Sequence, residues 1–175
     1  MSFKPQFALT LAFLLSGCVF IPIPGGAGSP GLKVRPWPES ASCLTPSGAS
    51  VTAARVVVLV NAERQKAGLG ALTLSAAATP VAQSYACEIT ARREIGHVGS
   101  DGSTLGERLA RGGISFSLAA ENNAEGYGSA EAVVAGWMTS AHHRENILRR
   151  GITQVGLGVT EGDFPVWVLD FYAPA

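Results

Sequence analysis

The sequence has no excess of either charge and few of the residues that most often carry chemistry. Its 13 basic and 13 acidic residues give a net charge of zero, and it has no basic run. This argues against a nucleic-acid partner and against electrostatic adhesion to an anionic membrane. The chain also has only three histidines and three cysteines. Those six residues are therefore the first places to look for a functional site.

Two common catalytic motifs are missing as well. The chain has no Gly-x-Ser-x-Gly elbow of a serine hydrolase and no His-Glu-x-x-His helix of a zinc peptidase. Ser140 stands close to His142 and His143, but its position before a helix is typical of an N-cap rather than of a nucleophile. Covalent catalysis therefore has little support in the sequence. A length of 175 residues and a hydrophobic content of 47% are typical of one packed domain.

The N-terminus has the layout of an export signal. Lys4 gives a short positive region, and the apolar run over residues 7–15 is too short to span a bilayer as a helix. The run ends in Leu15-Ser16-Gly17-Cys18, which resembles a bacterial lipoprotein signal box. This resemblance implies that residues 1–17 are cleaved off and that Cys18 carries a lipid, which would anchor the protein in the bacterial cell envelope, facing the periplasm or the exterior. A buried first helix with an incidental cysteine is the alternative.

A stretch rich in proline and glycine follows the signal. Residues 18–49 show no periodicity and are predicted to form an extended tether, whereas residues 50–175 are predicted to form the domain. The two other cysteines, Cys43 and Cys87, allow a single pairing, and an exported protein resides where disulfides form. We therefore expect a Cys43–Cys87 disulfide. Two free buried thiols are the alternative.

Hydrophobic periodicity predicts that helices come first in the domain and strands later. In the first helix Val51, Ala54, Val58 and Ala62 recur at helical spacing, and Val57 and Val60 widen this apolar face. In the second helix the predicted buried stripe consists of Ala78, Val81, Tyr85 and Ile89. A capping box at Thr104–Glu107 opens a third helix. Strands are predicted over residues 114–118, 154–160 and 166–172, with helical segments between the first and second of these. The order predicts an α/β fold in which helices pack on a mostly antiparallel sheet.

The candidate site residues come from three separate elements. His97 follows the second helix, Glu121 stands where a strand is expected to end, and His143 lies in the first turn of a helix. We expect the fold to bring them to one cleft. Two imidazoles and a carboxylate are a ligand set that a divalent metal such as zinc accepts; histidines that merely hydrogen-bond loops to the sheet are the alternative. His142 is about 100° from His143 around a helix and is expected to face solvent.

Motifs along the domain resemble those of one family. They are Asn61-x-x-Arg64 with Gly68-Leu69, Gly96-His97 with Asp101-Gly102, Glu121-Asn122, the run from Trp137 to Leu148, and Val155-Gly-x-Gly158 with Trp167 and Phe171. In this order they resemble the bacterial branch of the CAP superfamily, also called the SCP domain. The resemblance implies a three-layer α-β-α sandwich. It also implies a cleft with two histidines and two acidic residues.

The family's cleft residues carry over by motif to three positions of this chain. His97 and His143 match the histidines, and Glu121 matches one acidic residue. Three residues remain open as the second: Asp101, Glu145 and Asp170. The chain also departs from the family pattern, because it has Tyr85-Ala86 where many bacterial members have His-Ala, and Glu-Asn-Asn over residues 121–123 where Glu-Asn-Ile is usual.

Three functions follow as alternatives. The first is a membrane-anchored extracytoplasmic protein that binds an extracellular ligand, a lipid, glycan or peptide, in the cleft. The second is a metal-dependent hydrolase in which His97 and His143 hold a metal with its water and Glu121 acts as the base. The third is a structural envelope protein whose cleft is vestigial.

Overall fold

A four-stranded sheet forms the middle layer of the protein. The structure, a computed structural model, describes residues 43–175. The strands are β1 (Thr73–Leu74), β2 (Phe116–Glu125), β3 (Gln154–Val159) and β4 (Val166–Pro174). They lie in the order β1-β3-β4-β2, where β1 runs parallel to β3 and the other two pairings are antiparallel. The predicted, mostly antiparallel sheet is confirmed.

Helices cover both faces of this sheet. They are α1 (Ala49–Lys66), α2 (Ala78–Arg92), α3 (Leu105–Arg111), α4 (Ala130–Thr139) and α5 (Ala141–Ile147). One face packs against α1, α4 and α5, and the other packs against α2 and α3. The predicted three-layer α-β-α sandwich is therefore confirmed. On the second face α2 lies so close to β3 that a Cβ atom at Gly156 or Gly158 would collide with its backbone.

The first helix buries a different face from the predicted one. Val51 and Val58 are 73% and 58% exposed. The buried residues of α1 are Ala53, Val56, Val60 and Arg64, and of these only Val60 belongs to the predicted face. Valines at three successive positions, 56 to 58, make the helix apolar on several sides, so periodicity alone cannot choose a face. Arg64 determines which face of α1 is buried, because its guanidinium donates to four backbone carbonyls, those of Gly70, Ile147, Arg149 and Ile152.

Other local predictions hold, with one correction. The predicted stripe of α2 is buried throughout, and the capping box at Thr104 and Glu107 is formed. The strand predicted to end before Glu121 instead continues to Glu125, because β4 pairs with β2 along its whole length. Glu121 therefore lies inside a strand, and its side chain has a fixed direction.

The Cys43–Cys87 disulfide is confirmed, and it ties the segment before α1 to α2. The Glu161 amide donates to the Leu44 carbonyl at 2.9 Å, which fastens the same segment to the β3–β4 hairpin. The predicted signal peptide, Cys18 and the tether up to residue 42 lie outside the described residues. Within residues 43–175 no helix is both long enough and apolar enough to cross a membrane.

Candidate functional site

The predicted site residues gather around β2, an edge strand of the sheet. Glu121 is opposite Asp170 of β4, and both side chains point toward α2 and α3. Asn122, the next residue, points to the other face, where its Nδ2 donates to the carbonyl of His143 at 3.0 Å. The loop that carries His97 and the helix that carries His143 therefore reach the same edge strand from opposite faces of the sheet.

His97 and Glu121 are in direct contact. His97 Nδ1 lies 2.6 Å from Glu121 Oε1. Because an ionised carboxylate only accepts hydrogen bonds, Nδ1–H is the donor, and Nε2 is the nitrogen left for a ligand. The Glu121 side chain is 3% exposed, whereas that of His97 is 60% exposed. The hydrogen bond to Glu121 raises the pKa of His97, although partial burial opposes the shift.

A buried arginine supports this pair from below. Arg108 Nη2 donates to Glu121 Oε2, and its Nη1 donates to the carbonyls of His97 at 3.2 Å and Ser103 at 3.0 Å. The guanidinium also stacks on the Tyr85 ring, with 3.6 Å from Cζ to the ring centroid. One side chain therefore neutralises Glu121 and holds the His97 loop. Tyr85, which departs from the family pattern, supplies the surface under the guanidinium.

Asn123, the second departure from the family pattern, joins the loop to the strand. Its Nδ2 donates to Glu121 Oε1 at 3.0 Å and to the carbonyl of Gly96. These two bonds use both N–H groups, so the 3.3 Å approach of Nδ2 to His97 Nδ1 is not a third hydrogen bond. An apolar side chain here would leave the Gly96 carbonyl and Glu121 each without one donor.

His143 is positioned by an amide pair between α5 and β2. Asn146 Nδ2 donates to Asn122 Oδ1 at 2.9 Å and to the Glu121 carbonyl at 3.2 Å. His143 is half-buried, and the neighbouring His142 is exposed. Burial lowers the pKa of His143, and the positive charges of His97 and His142 lower it further. Of the two histidines predicted to share a cleft, His97 is therefore shifted toward the charged form and His143 toward the neutral form.

Of the three open acidic residues, only Asp170 lies beside Glu121. It is fully buried, and burial together with the nearby charge of Glu121 raises its pKa well above the usual range. Asp101 forms an ion pair with Arg111 at 2.7 Å, and Glu145 is exposed on α5. The raised pKa of Asp170 shifts this carboxyl toward its neutral form.

Sequence reasoning missed Arg108 and Asn123. A signal for Arg108 was present, because it stands three residues after Leu105 and next to Leu109, on the inward side of α3. A charge at a core position of a short helix indicates a buried partner. Asn123 gave no comparable signal, because three polar residues in a row resemble a loop.

The predicted metal set does not fit this geometry as three direct ligands. Among residues 43–175, no three His, Cys, Asp or Glu side chains are arranged to hold a metal ion. Both oxygens of Glu121 already accept hydrogen bonds, from His97 and Asn123 on one side and from Arg108 on the other. A metal on Glu121 would also have to approach the positive guanidinium. Glu121 instead orients His97 through Nδ1.

One cavity lies away from the three predicted cleft residues. It has a volume of about 580 Å³ and is bounded by the start of α1, the start of α4 and the β3–β4 hairpin. Its lining includes Val51, Tyr127 and Trp167, but none of the three predicted cleft residues.

Comparison with known proteins gives a consistent family signal. The profile of the cysteine-rich secretory protein family, CAP, matches residues 57–171. The uncharacterized Bacillus subtilis protein YkwD is 33% identical over 126 residues, which covers 72% of this chain and 49% of YkwD. The uncharacterized membrane protein YlbC of the same organism is 31% identical over 105 residues, covering 60% of this chain and 30% of YlbC. The chain thus spans about half of one relative and under a third of the other.

Solved structures give the same fold. An extracellular SCP-domain protein from Bacillus anthracis superposes with a TM-score of 0.64 at 29% identity, covering 71% of this chain and 41% of that one. An outer surface protein from Borrelia burgdorferi also has a TM-score of 0.64, at 24% identity, and covers 69% of this chain and 90% of that one. The second likeness bears on the fold alone.

Proposed function

The chain belongs to the CAP family of cysteine-rich secretory proteins, and on that premise we propose that it acts outside the cytoplasm and binds a ligand at His97 and His143. The observation that carries this proposal is the support built under His97. Three buried side chains, Glu121, Arg108 and Asn123, hold an imidazole that is itself largely exposed. The ligand classes that remain open are lipid, glycan and peptide.

The free-energy cost of burying Arg108 and Glu121 favours a functional role for this pair. Burying a carboxylate and a guanidinium removes both from water, and an apolar replacement of similar volume is often as stable. The buried pair of Arg108 and Glu121 is therefore weak as a stabilising device. It is effective as a device that fixes the tautomer and the direction of one exposed ring.

The two histidines suit a ligand that presents an oxygen. His97 is shifted toward the charged form and donates strongly, whereas His143 is shifted toward the neutral form and can donate or accept. The charge of Glu121 is already balanced by Arg108. Carboxylate, phosphate and hydroxyl groups all fit such a pair.

The hydrolase alternative has less support from the geometry. As a base, Glu121 would have to accept a proton from water while three donors already hold its two oxygens. A vestigial cleft would not need so many buried polar contacts around one exposed ring. Ligand binding accounts for more of the observed contacts than either alternative.

A binding screen tests the proposal. Vesicles of phosphatidylglycerol, soluble peptidoglycan fragments and a peptide mixture would each be added while the imidazole signals of His97 and His143 are followed by NMR. We expect one class to shift both signals, and we expect His97→Ala and His143→Ala to abolish that binding. His142→Ala is the matched control and should bind normally. Equal losses from all three variants, or no shift with any class, would reject the proposed site.

Membrane attachment through Cys18 is part of the same proposal. Its support is the signal-like sequence over residues 1–18 and membership of a family of secretory proteins. Cys18→Ser should move the protein from the membrane fraction to the soluble fraction of the cell envelope. Unchanged fractionation would contradict the anchor and leave the binding cleft untouched.

A further inference from the structure

Five buried polar atoms on the α2–α3 side of the sheet have no hydrogen-bond partner among the described residues. They belong to four side chains and are Tyr85 Oη, Arg108 Nε, Asn123 Oδ1, Asp170 Oδ1 and Asp170 Oδ2. All four residues are at most 5% exposed. The Asp170 carboxyl lies near that of Glu121, but their contact lacks the geometry of a normal hydrogen bond. Buried polar atoms are nearly always satisfied, so a cluster of five requires an explanation.

The four side chains surround the buried side of Glu121. Arg108 and Asn123 both donate to the Glu121 carboxylate. Tyr85 lies under the guanidinium of Arg108, and Asp170 is the cross-strand partner of Glu121. The unsatisfied atoms are therefore parts of one cluster and not isolated defects at separate points of the core.

The mixture of donors and acceptors selects the kind of molecule that could satisfy the cluster. Tyr85 Oη offers an O–H donor and Arg108 Nε offers an N–H donor, whereas Asn123 Oδ1 is an acceptor. The Asp170 carboxyl accepts through its oxygens and, in the protonated form that its raised pKa favours, also donates. A cation would meet the positive guanidinium, and an anion would meet the oxygens of Asn123 and Asp170. A small neutral molecule that both donates and accepts matches the set, and water has these properties.

We propose that Tyr85, Arg108, Asn123 and Asp170 form an internal hydration site beneath Glu121, in which ordered water bridges Tyr85 Oη and Arg108 Nε to an oxygen of Asn123 or Asp170. Buried waters typically make about three hydrogen bonds to otherwise unsatisfied protein groups, which this cluster can provide. The site does not depend on the proposed ligand binding, because all its partners are side chains of the folded domain.

The hydration site gives Tyr85 and Asp170 a positioning role. Bridging water would connect Asp170, which has no access to solvent, with the groups that hold Glu121, and Glu121 orients His97. The Tyr85 hydroxyl then has a role of its own, separate from that of the ring that stacks on Arg108. A phenylalanine would keep that surface and lose the water contact.

A crystal structure that resolves ordered water tests the proposal directly. In the wild type we expect density for water within about 2.7–3.2 Å of Tyr85 Oη, of Arg108 Nε and of an oxygen of Asn123 or Asp170. In Tyr85→Phe the water bound to the hydroxyl should shift or disappear, while the stacked ring stays in place. Direct hydrogen bonds among the five atoms, or an ion or larger group in their midst, would overturn the proposal.

A solution experiment covers the case in which Tyr85→Phe fails to fold. In wild-type protein, magnetisation transfer from long-lived water to Arg108 Nε–H should be detectable by NMR, and its absence would overturn the hydration site. Tyr172→Phe is the matched control, because that buried hydroxyl already has a direct partner, Ser75 Oγ at 2.8 Å. We expect the control to leave the Arg108 signal unchanged and Tyr85→Phe, where it folds, to alter it.

Discussion

Leu169 and Asp170 are adjacent on β4 and equally buried, yet they enter opposite environments. Leu169 joins an apolar core that includes Trp137, Leu157 and Phe171. Asp170 points the other way, toward Glu121 and the charge of Arg108. The difference teaches that the two faces of one sheet have different compositions. The α1–α4–α5 face has the largest apolar cluster among the described residues, whereas the α2–α3 face combines two smaller apolar clusters with the buried polar groups that orient His97.

The largest expected effect comes from removing Arg108, the fully buried arginine that contacts Glu121 on the α2–α3 face. Arg108→Met leaves Glu121 buried without its counter-charge, and this should lower the free energy of unfolding by about 3–5 kcal/mol in denaturant titrations. Arg55→Met is the control, because Arg55 forms an exposed ion pair with Glu131 at 2.7 Å and should cost about 0–1 kcal/mol. Similar small losses in both variants would show that Arg108 does not hold the site.

A truncation on the apolar face should destabilise the protein without disturbing the cleft. Leu169→Ala is expected to cost about 2–5 kcal/mol, because it leaves a cavity in the core. The imidazole NMR signals of His97 should keep their wild-type positions in this variant, unlike in Arg108→Met. A shift of His97 as large as that in Arg108→Met would break the proposed division between the faces.

Two neighbouring asparagines allow a finer comparison. Asn123→Ala removes the donors to Glu121 and Gly96, and Asn122→Ala removes the contacts with His143 and Asn146. Each should cost about 1–3 kcal/mol, since buried partners lose a hydrogen bond. NMR should show that Asn123→Ala perturbs mainly His97 and Asn122→Ala mainly His143. The reverse pattern, or equal effects on both rings, would contradict the assignment of the side chains to opposite faces.

The smallest expected effect is a pH dependence of stability. The pKa of His97 is raised in the folded state. The contribution of His97 to the free energy of unfolding is therefore complete below the unfolded pKa of about 6.5 and is lost as the pH rises through the folded pKa. The lowered pKa of His143 acts in the opposite sense, because the contribution of His143 to the free energy of unfolding is lost as the pH falls below its unfolded pKa. His97→Gln should remove the first dependence and keep the second. A stability difference between His97→Gln and wild type that does not change with pH would contradict this.

The sequence predicted the fold better where one side of an element was clearly polar. The stripe of α2 was correct because its apolar residues recur on one side only. The stripe of α1 was wrong because valines surround the helix, and the inward direction of Arg64 depends on carbonyls brought in from residues 147–152. Local pattern cannot show such a distant partner.

Only part of the site was predicted, again because local sequence pattern does not show contacts between distant residues. His97 and Glu121 could be named from motifs, and the structure places them in contact. Arg108, Asn123 and the role of Asp170 depend on the pairing of β2 with β4 and on the packing of α3, which are tertiary features. The end of β2 was misplaced because Glu121, Asn122 and Asn123 resemble a loop until their partners on both faces are known.

The central claim is that Glu121 orients and charges His97 at the edge of the sheet. The most direct test is an NMR titration of the imidazole nitrogens in wild type and in Glu121→Gln. We predict that neutral His97 carries its proton on Nδ1, that its pKa lies above that of His143, and that Glu121→Gln lowers the pKa of His97. A proton on Nε2, or a His97 pKa that Glu121→Gln leaves unchanged, would contradict the account.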